Sequence, residues 1–351
     1  MKKSQAFELR KWCGDPSALC GIRDFTFNDG PARGMRALKL KNGRGMDLTV
    51  LPDRGLDIPY LSFKGTNIGL LNKVGVRSPY LYVENGASGF LKQFYAGMMT
   101  TCGLTYAGAA GVDGGVPLGL HGPFDNLPAA GVSAWTEYEG DDQVLCVAGE
   151  IREAEIFGPN MVMKRHLRLD TERNELHIRD VVENQGFATS PLMLIYHINF
   201  GYPMLDEGCR AYFSATEIEA RTDFAAEGMH NYDVMEEPGI GRDEQCYFHT
   251  ASPAGAEGFA MLHNPKLNLA AAVRYDAAVL PLLCEWKCMR AGEYALGLEP
   301  TTSSVVSRAE SREKGLLTYL EPGESREFNV TIELIEDPAR IDAFIARAHK
   351  R

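Results

Sequence analysis

Along most of the chain apolar and polar positions alternate with a period of two, the signature of half-buried β-strands. The stretch "GMRALKLKNGRGMDLTVLPDRG" predicts two strands about Lys41-Asn42-Gly43, where Asn-Gly favours a hairpin turn. "LDIPYLSFKGTNIGLL" continues the pattern. "DQVLCVAGEIREAEIFGPNMVMKRHLRLDTERNELHIRDVVENQGF" predicts a run of strands with turns at Gly158-Pro159-Asn160 and Thr171-Glu172-Arg173-Asn174. "AVLPLLCEWKCM" and "EYALGLEPTT" form another hairpin across Arg290-Ala291-Gly292, and "KGLLTYLEPGESREFNVTIELI" turns at Glu321-Pro322-Gly323-Glu324. Helical spacing is rare. In "DPARIDAFIARAHKR", Asp337 can cap, Pro338 takes the first helical position, and Ile341, Phe344, Ile345 and Ala348 make one stripe. "GFLKQFYAGMM" (89–99) predicts a short helix. No 20–50-residue repeat, low-complexity linker or break in composition divides the chain. The expected fold class is all-β: a large antiparallel β-sandwich with few short helices. It forms one domain over 1–351, with 1–30 as an N-terminal extension and 337–351 as a C-terminal helix.

Composition narrows the function. At 45% hydrophobic residues the chain is globular, and its formal net charge of −11, with no basic run, argues against nucleic acid and anionic lipid. A neutral small molecule is the easier partner; a homodimer is a possible assembly. The N-terminus carries charges where a signal peptide needs an apolar core, and no apolar run approaches a membrane span, so a cytoplasmic location is expected. Eight cysteines, at 13, 20, 102, 146, 209, 246, 284 and 288, are scattered as suits reduced thiols. Neither tight pair, Cys13/Cys20 or Cys284/Cys288, has a second pair at zinc spacing, so no metal or other cofactor is expected.

Several stretches carry candidate chemistry. In "PLMLIYHINFGYPML" (191–205), residues 191–200 read as a strand whose one face holds Met193, Ile195, His197 and Asn199, the other Leu192, Leu194, Tyr196, Ile198 and Phe200. A strand histidine is commonly a hydrogen-bonded core residue; this one shares its face with a polar asparagine. Glu299 ends a strand with only Ala295 and Gly297 beside it, leaving space for a ligand close to the backbone, although a rim glutamate would look the same. His121 sits among glycines in "PLGLHGPFDN", hence on a loop. Asp53, Arg54 and Asp57 cluster in a turn, where Arg54 could donate to a hydroxylated ligand or close a turn salt bridge. Trp286 shares a face with Cys284 and Cys288, as core or as a platform under a sugar. The Gly-rich run before His121 lacks the strand–GxGxxG–helix setting of a dinucleotide site, and no G-x-S-x-G elbow occurs. Two histidines, a glutamate, an arginine and a tryptophan suit acid–base work on a neutral polyhydroxylated molecule.

The order of these motifs resembles the galactose mutarotase (aldose 1-epimerase) superfamily. "LHG" (Leu120-His121-Gly122) is similar to its first histidine motif. "LHIRDVVENQGFATSPLMLIYHINFGYP" is similar to the region holding its second histidine, and "ALGLEPTT" to the strand ending in its base glutamate. The likeness spans about residues 30–335, and "LPDRGLDI", "TTCGLTYAG" and "LGLEPT" look closest to an uncharacterised aldose-1-epimerase-like branch. It implies the family's supersandwich fold and a cofactor-free carbohydrate isomerase, in the first place an aldose 1-epimerase. Glu299 would be the base, His197 the acid, and His121 a further catalytic group. Arg54, Asp53, Asn199, Trp286 and Glu285 would bind substrate. The family's substrate-binding aspartate has no assigned counterpart; Asp206 and Glu285 are candidates. Another carbohydrate epimerase or lyase, a non-catalytic sugar-binding protein, and a metal enzyme using His121, His197 and Glu299 are the alternatives.

Overall fold

The computed structural model describes residues 1–250 and 257–348, and in it the alternating segments pair into two large antiparallel sheets. The larger has eleven strands; its order is 21–26, 36–41, 46–51, 57–63, 99–102, 195–200, 295–301, 282–288, 245–250 and 217–220, with 66–67 beside 57–63. The second has eight, in the order 130–139, 142–154, 160–170, 175–184, 325–335, 269–276, 257–264 and 210–213. Their apolar faces meet in one buried cluster: Leu38, Leu48, Ile58, Tyr196, Leu296 and Leu298 from the larger sheet, Leu145, Leu167, Ile178, Val273 and Val330 from the second. The period-two pattern is what allows this, because each strand offers one apolar face to the opposing sheet. The all-β sandwich with few short helices is therefore what forms. Among the described residues no helix is long and apolar enough to cross a membrane.

The alternation over 193–200 is kept. Leu194, Tyr196, Ile198 and Phe200 join the core between the sheets. Met193 and Ile195 lie on the outer face, in a separate cluster with Phe90, Phe94, Cys102, Tyr106, Cys246 and Cys284. This outer layer is where His197 and Glu299 stand. The stretch is two strands, however. Ser190–Leu192 pairs with Thr318–Leu320, and Ile195–Phe200 joins the large sheet. Between them the Met193 N–H donates to the Leu104 carbonyl and the Leu194 N–H to Thr302 Oγ1, so loop groups take the backbone bonds a continuous strand would have used.

Other expectations are adjusted locally. The Asn42-Gly43 hairpin forms with a wider loop, 42–45, because Asn42 Oδ1 accepts from the N–H groups of Arg44 and Met46. The short helix is Gly86–Leu91 rather than 89–99; Ala96 and Gly97 take left-handed φ values of 65° and 69°, and Met99–Cys102 is a strand. The N-terminal 1–30 segment contains the edge strand Gly21–Thr26 of the large sheet. The C-terminal helix is Pro338–Arg347, with Asp337 accepting from the Ala339 N–H and Ile341 and Phe344 buried against Phe259 and Met261; residues 349–351 of that expectation lie outside the described residues.

Two buried ionic groups brace the ground under the outer layer. Arg165 bridges Asp57 (3.0 Å) and Asp180 (2.7 Å), while Tyr196 donates to Asp180 and Thr101 to Asp57. Arg54 pairs with Asp125 at 2.5 Å, both fully enclosed. Tyr196 and Thr101 thus anchor the two strands that flank or carry His197.

Candidate active site

The sheet register assembles the site. Ile195 pairs with Thr301 and Asn199 with Gly297, which sets His197 directly opposite Glu299. On its other side His197 faces Thr100, and Glu299 faces Cys284. One pleat along, Asn199, Gly297, Trp286 and Cys246 form a parallel row. Because Cβ atoms alternate between faces, both rows point into the outer layer. The cover comes from elsewhere in the chain: Phe90 meets His121 edge-on at 4.9 Å, Phe94 lies tilted 4.9 Å from His197, and the two imidazoles lie edge to face at 5.8 Å. Trp286 meets His197 edge-on at 5.5 Å.

Hydrogen bonds define the tautomer of His197. The Asn199 amide nitrogen donates to three carbonyls, those of Ala96, Gly97 and His197. Its oxygen must then face the imidazole, 2.6 Å from Nδ1, and an amide oxygen only accepts. Nδ1 therefore carries the hydrogen, and Nε2 presents a lone pair. Glu299 Oε1 lies 3.2 Å from the same Nδ1 but outside the direction of that hydrogen, and accepts no hydrogen bond. His121 Nδ1 is likewise buried and unpaired. Buried polar atoms are nearly always satisfied; these two unpaired ones fall in one cluster.

Burial controls the charges. His121, His197 and Glu299 are only 8%, 5% and 2% exposed. Desolvation lowers His121 to about 3, helped by the neighbouring His197 and Arg221, and lowers His197 to about 4 against the opposing hydrogen bond to Asn199. Desolvation, with Cys246 and Glu244 adding to it, pushes the Glu299 carboxyl well above the ordinary range, although Cys284 and Arg221 pull the other way. The roles the resemblance implies, Glu299 as base and His197 as acid, call for a charged pair, whereas burial at this 3.2 Å contact favours the neutral form of both groups.

A pH prediction follows. Both histidines have folded values below their unfolded value of about 6.5, so the stability from keeping them neutral is whole above that pH and is lost as pH falls towards 4 and 3. At pH 5 each costs about 2 kcal/mol. A His121→Gln/His197→Gln double variant is expected to lose about 4 kcal/mol less than the wild type between pH 7.5 and 5 in urea unfolding. Equal pH slopes would contradict it.

Glycine has a definite task at two positions. Gly122 has φ 71°, and a Cβ there would collide with the carbonyls of Tyr106 and Gly103; His121 before it is also left-handed at φ 61°. A Cβ on Gly297 would meet Trp286 Cβ at 3.1 Å and collide with Glu299 Oε1. The space beside Glu299 is therefore occupied by its own carboxyl, folded back over Gly297. Gly297→Ala is expected to cut any sugar-converting activity about as severely as loss of Glu299 itself, by about 10²-fold or more, while the protein stays folded. Near-normal turnover of Gly297→Ala would show that the carboxyl position is unimportant.

Not all predicted site residues meet here. His121, His197, Glu299, Trp286 and Asn199 do, but Asn199 is fully buried and satisfied, so it orients His197 and does not bind substrate. Arg54 is enclosed by Asp125, the carbonyls of Arg77 and Gln93, and the Tyr95 ring, beyond reach of a ligand. Asp53 accepts from the Arg36 backbone N–H and stays in its turn. Glu285 points to the core side of its strand, 2.9 Å from His249 Nε2, because it alternates with Cys284 and Trp286. Asp206 pairs with Lys266 at the surface. Missed from sequence were Phe90 and Phe94, and the pair at the mouth, Arg221 and Glu244, joined at 2.9 Å, with Glu244 also accepting from Trp286 Nε1 at 2.8 Å. Glu244 stands two residues before Cys246, and that spacing could have placed it on the site face. A separate cavity of about 650 Å³, lined by Phe224, Asn231, Glu236, Arg242 and Gln245 among others, contains none of the three central residues.

A sandwich of two large antiparallel sheets in this order is the carbohydrate epimerase-like, galactose mutarotase-like fold. Among solved structures, a Klebsiella pneumoniae protein carrying the provisional name aldose 1-epimerase is similar over 93% of this chain and 86% of its own, at 25% identity and a TM-score of 0.87. A galactose mutarotase-like protein from Clostridium acetobutylicum (14% identity, 91% and 99% covered, TM-score 0.61) and galactose 1-epimerase from Lactobacillus acidophilus (14%, 90% and 99%, 0.60) share the fold. Residues 32–334 match the family described as "Domain of unknown function (DUF4432)", and the chain belongs to that family. No curated protein matches its sequence.

Proposed function

We propose that this protein is an aldose 1-epimerase, interconverting the α and β anomers of a sugar by opening and reclosing its ring. The observation that carries the reading is the buried pair of His197 and Glu299 facing each other across adjacent strands, with Glu299 Oε1 lacking a hydrogen bond. Ring opening needs a proton taken from the C1 hydroxyl and one delivered to the ring oxygen. Burial favours the form of the pair with a proton on Glu299 and an open lone pair on His197 Nε2. From that state the carboxyl protonates the ring oxygen and the imidazole takes the C1 hydroxyl proton. After rotation about C1–C2, closure runs both transfers backwards. Each group thus donates once and accepts once per turnover; the exchanged roles, Glu299 as base and His197 as acid, start from the ionised pair that burial disfavours. His121 Nδ1 offers an unpaired nitrogen to a sugar hydroxyl, and Trp286 an indole edge and face to its C–H surface. Asn199 keeps the imidazole in the required tautomer. The low exposure of all three central groups means that a sugar reaches them only when the Phe90–Phe94 cover shifts.

The test is polarimetric. Fresh α-glucose, α-galactose and a panel of other aldoses should lose their initial rotation faster with the protein than without it, and His197→Asn should abolish the difference. Sugars that bind in calorimetry but are never accelerated would make this a sugar-binding protein. A new constitution, or inversion at a carbon other than C1 seen by NMR, would make it another carbohydrate epimerase or lyase.

A further inference from the structure

The mouth of the site carries one polar device that the proton transfers do not use. The Arg221 N–H donates to the Cys246 carbonyl, and Cys246 pairs with Trp286, so these three residues and Glu244 share one end of the site face. Arg221 and Glu244 are partly exposed, at 32% and 46% of their side chains, and joined at 2.9 Å. Glu244 is held by a second donor, Trp286 Nε1, at 2.8 Å, and the same indole lies 5.5 Å from His197. The guanidinium is close enough to influence both His121 and Glu299, and the Glu244 carboxylate influences Glu299. Other arginines around the cover are engaged: Arg308 and Arg312 with Asp113, Arg77 with Gln93, Arg54 with Asp125.

We infer that Arg221, Glu244 and Trp286 form the specificity element of this site and select an uncharged sugar ring; the inference rests on reading the His197–Glu299 cluster as a sugar site. A guanidinium has five N–H donors, and its pairing with one carboxylate leaves others unspent, while Glu244 keeps free lone pairs. Side by side at the N–H edge of the indole, they offer a donor and an acceptor, the complement of neighbouring hydroxyls that each do both. A uronate or sugar phosphate meets a different surface. An anion that uses the remaining N–H groups of the guanidinium stands beside the Glu244 carboxylate, a like charge held against the same Arg221. Burial disfavours charge on His121, His197 and Glu299, so they offer it no compensation.

The experiment compares matched pairs, D-galactose with D-galacturonate and D-glucose with D-glucuronate, by calorimetric binding and by polarimetry, on the wild type and on Glu244→Gln. Gln keeps an acceptor for Trp286 and removes the charge. The wild type is expected to prefer the neutral member by at least about tenfold, and Glu244→Gln to narrow that ratio at least about threefold. Equal or better handling of the uronates by the wild type overturns the inference. So does a Glu244→Gln variant that weakens both members by one factor, since that is what a purely structural role would do. Preferential binding of neutral sugars without accelerated rotation would remove the catalytic reading and leave the selectivity. Accelerated rotation without preference would do the reverse, and absence of binding by every sugar would remove both.

Discussion

Glu299→Gln is expected to lower the acceleration of anomer exchange by about 10²–10⁴-fold, and at the same time to raise the melting temperature at pH 8. The two effects have one origin. Burial, the largest influence on this carboxyl, raises it well above the ordinary range. A group whose folded value is raised contributes its stability below the unfolded value, about 4.3 for a glutamate, and that contribution is lost as pH rises. At pH 8 the unfolded chain releases a proton that the folded site retains or gives up only at a cost. Glutamine has the same shape and no such cost, so its advantage should grow from pH 5.5 to pH 8. It can neither give nor take the proton that ring opening needs. Calorimetric melting at the two pH values, beside polarimetry, reads both effects. A variant less stable than the wild type at pH 8, or one that retains activity, would contradict the account of Glu299 as a buried, strained proton carrier.

Arg54→Met is expected to destabilise the fold by about 3–5 kcal/mol and to leave the sugar preference of the surviving folded protein unchanged. The guanidinium spans Asp125, the carbonyls of Arg77 and Gln93, and the Tyr95 ring at 5.0 Å, in a place with no measurable exposure. Removing it strands the Asp125 carboxylate, itself 1% exposed, and several carbonyls with it. Breaking one side of such a pair costs far more than the pair contributes against an apolar replacement of both. Urea unfolding measures the loss. Wild-type stability together with weakened sugar binding would return Arg54 to the role its sequence context suggested.

That contrast shows where reading the chain succeeds and where it stops. Alternation of apolar and polar residues identified an antiparallel sandwich, because a period of two leaves each strand one face to bury and sheets are the only way to bury many such faces together. It also separated the faces of 193–200, so that His197 and Asn199 were assigned to the side away from Leu194, Tyr196 and Ile198, as found. The same rule, applied to "CEWKC", turns Glu285 away from Trp286, and the core position of Glu285 bears this out. Local turn chemistry was legible too, at Gly158-Pro159-Asn160 and Arg290-Ala291-Gly292, since it depends on neighbours in the chain.

Charge and role were decided elsewhere. Whether an arginine after a turn faces a ligand or a buried aspartate depends on what packs above it, and Asp125 lies 71 residues away from Arg54. The protonation of His197 and Glu299 depends on how much water the cover leaves, and Phe90 and Phe94 come from a segment about a hundred residues from His197 with no polar motif to announce it. Sequence determined which faces are apolar and which residue types are at hand, because those follow from spacing of a few residues. Only the tertiary structure decided which polar groups meet, which of them lose their water, and hence where the proton rests, because desolvation is a property of the whole surroundings of an atom and not of its place in the chain.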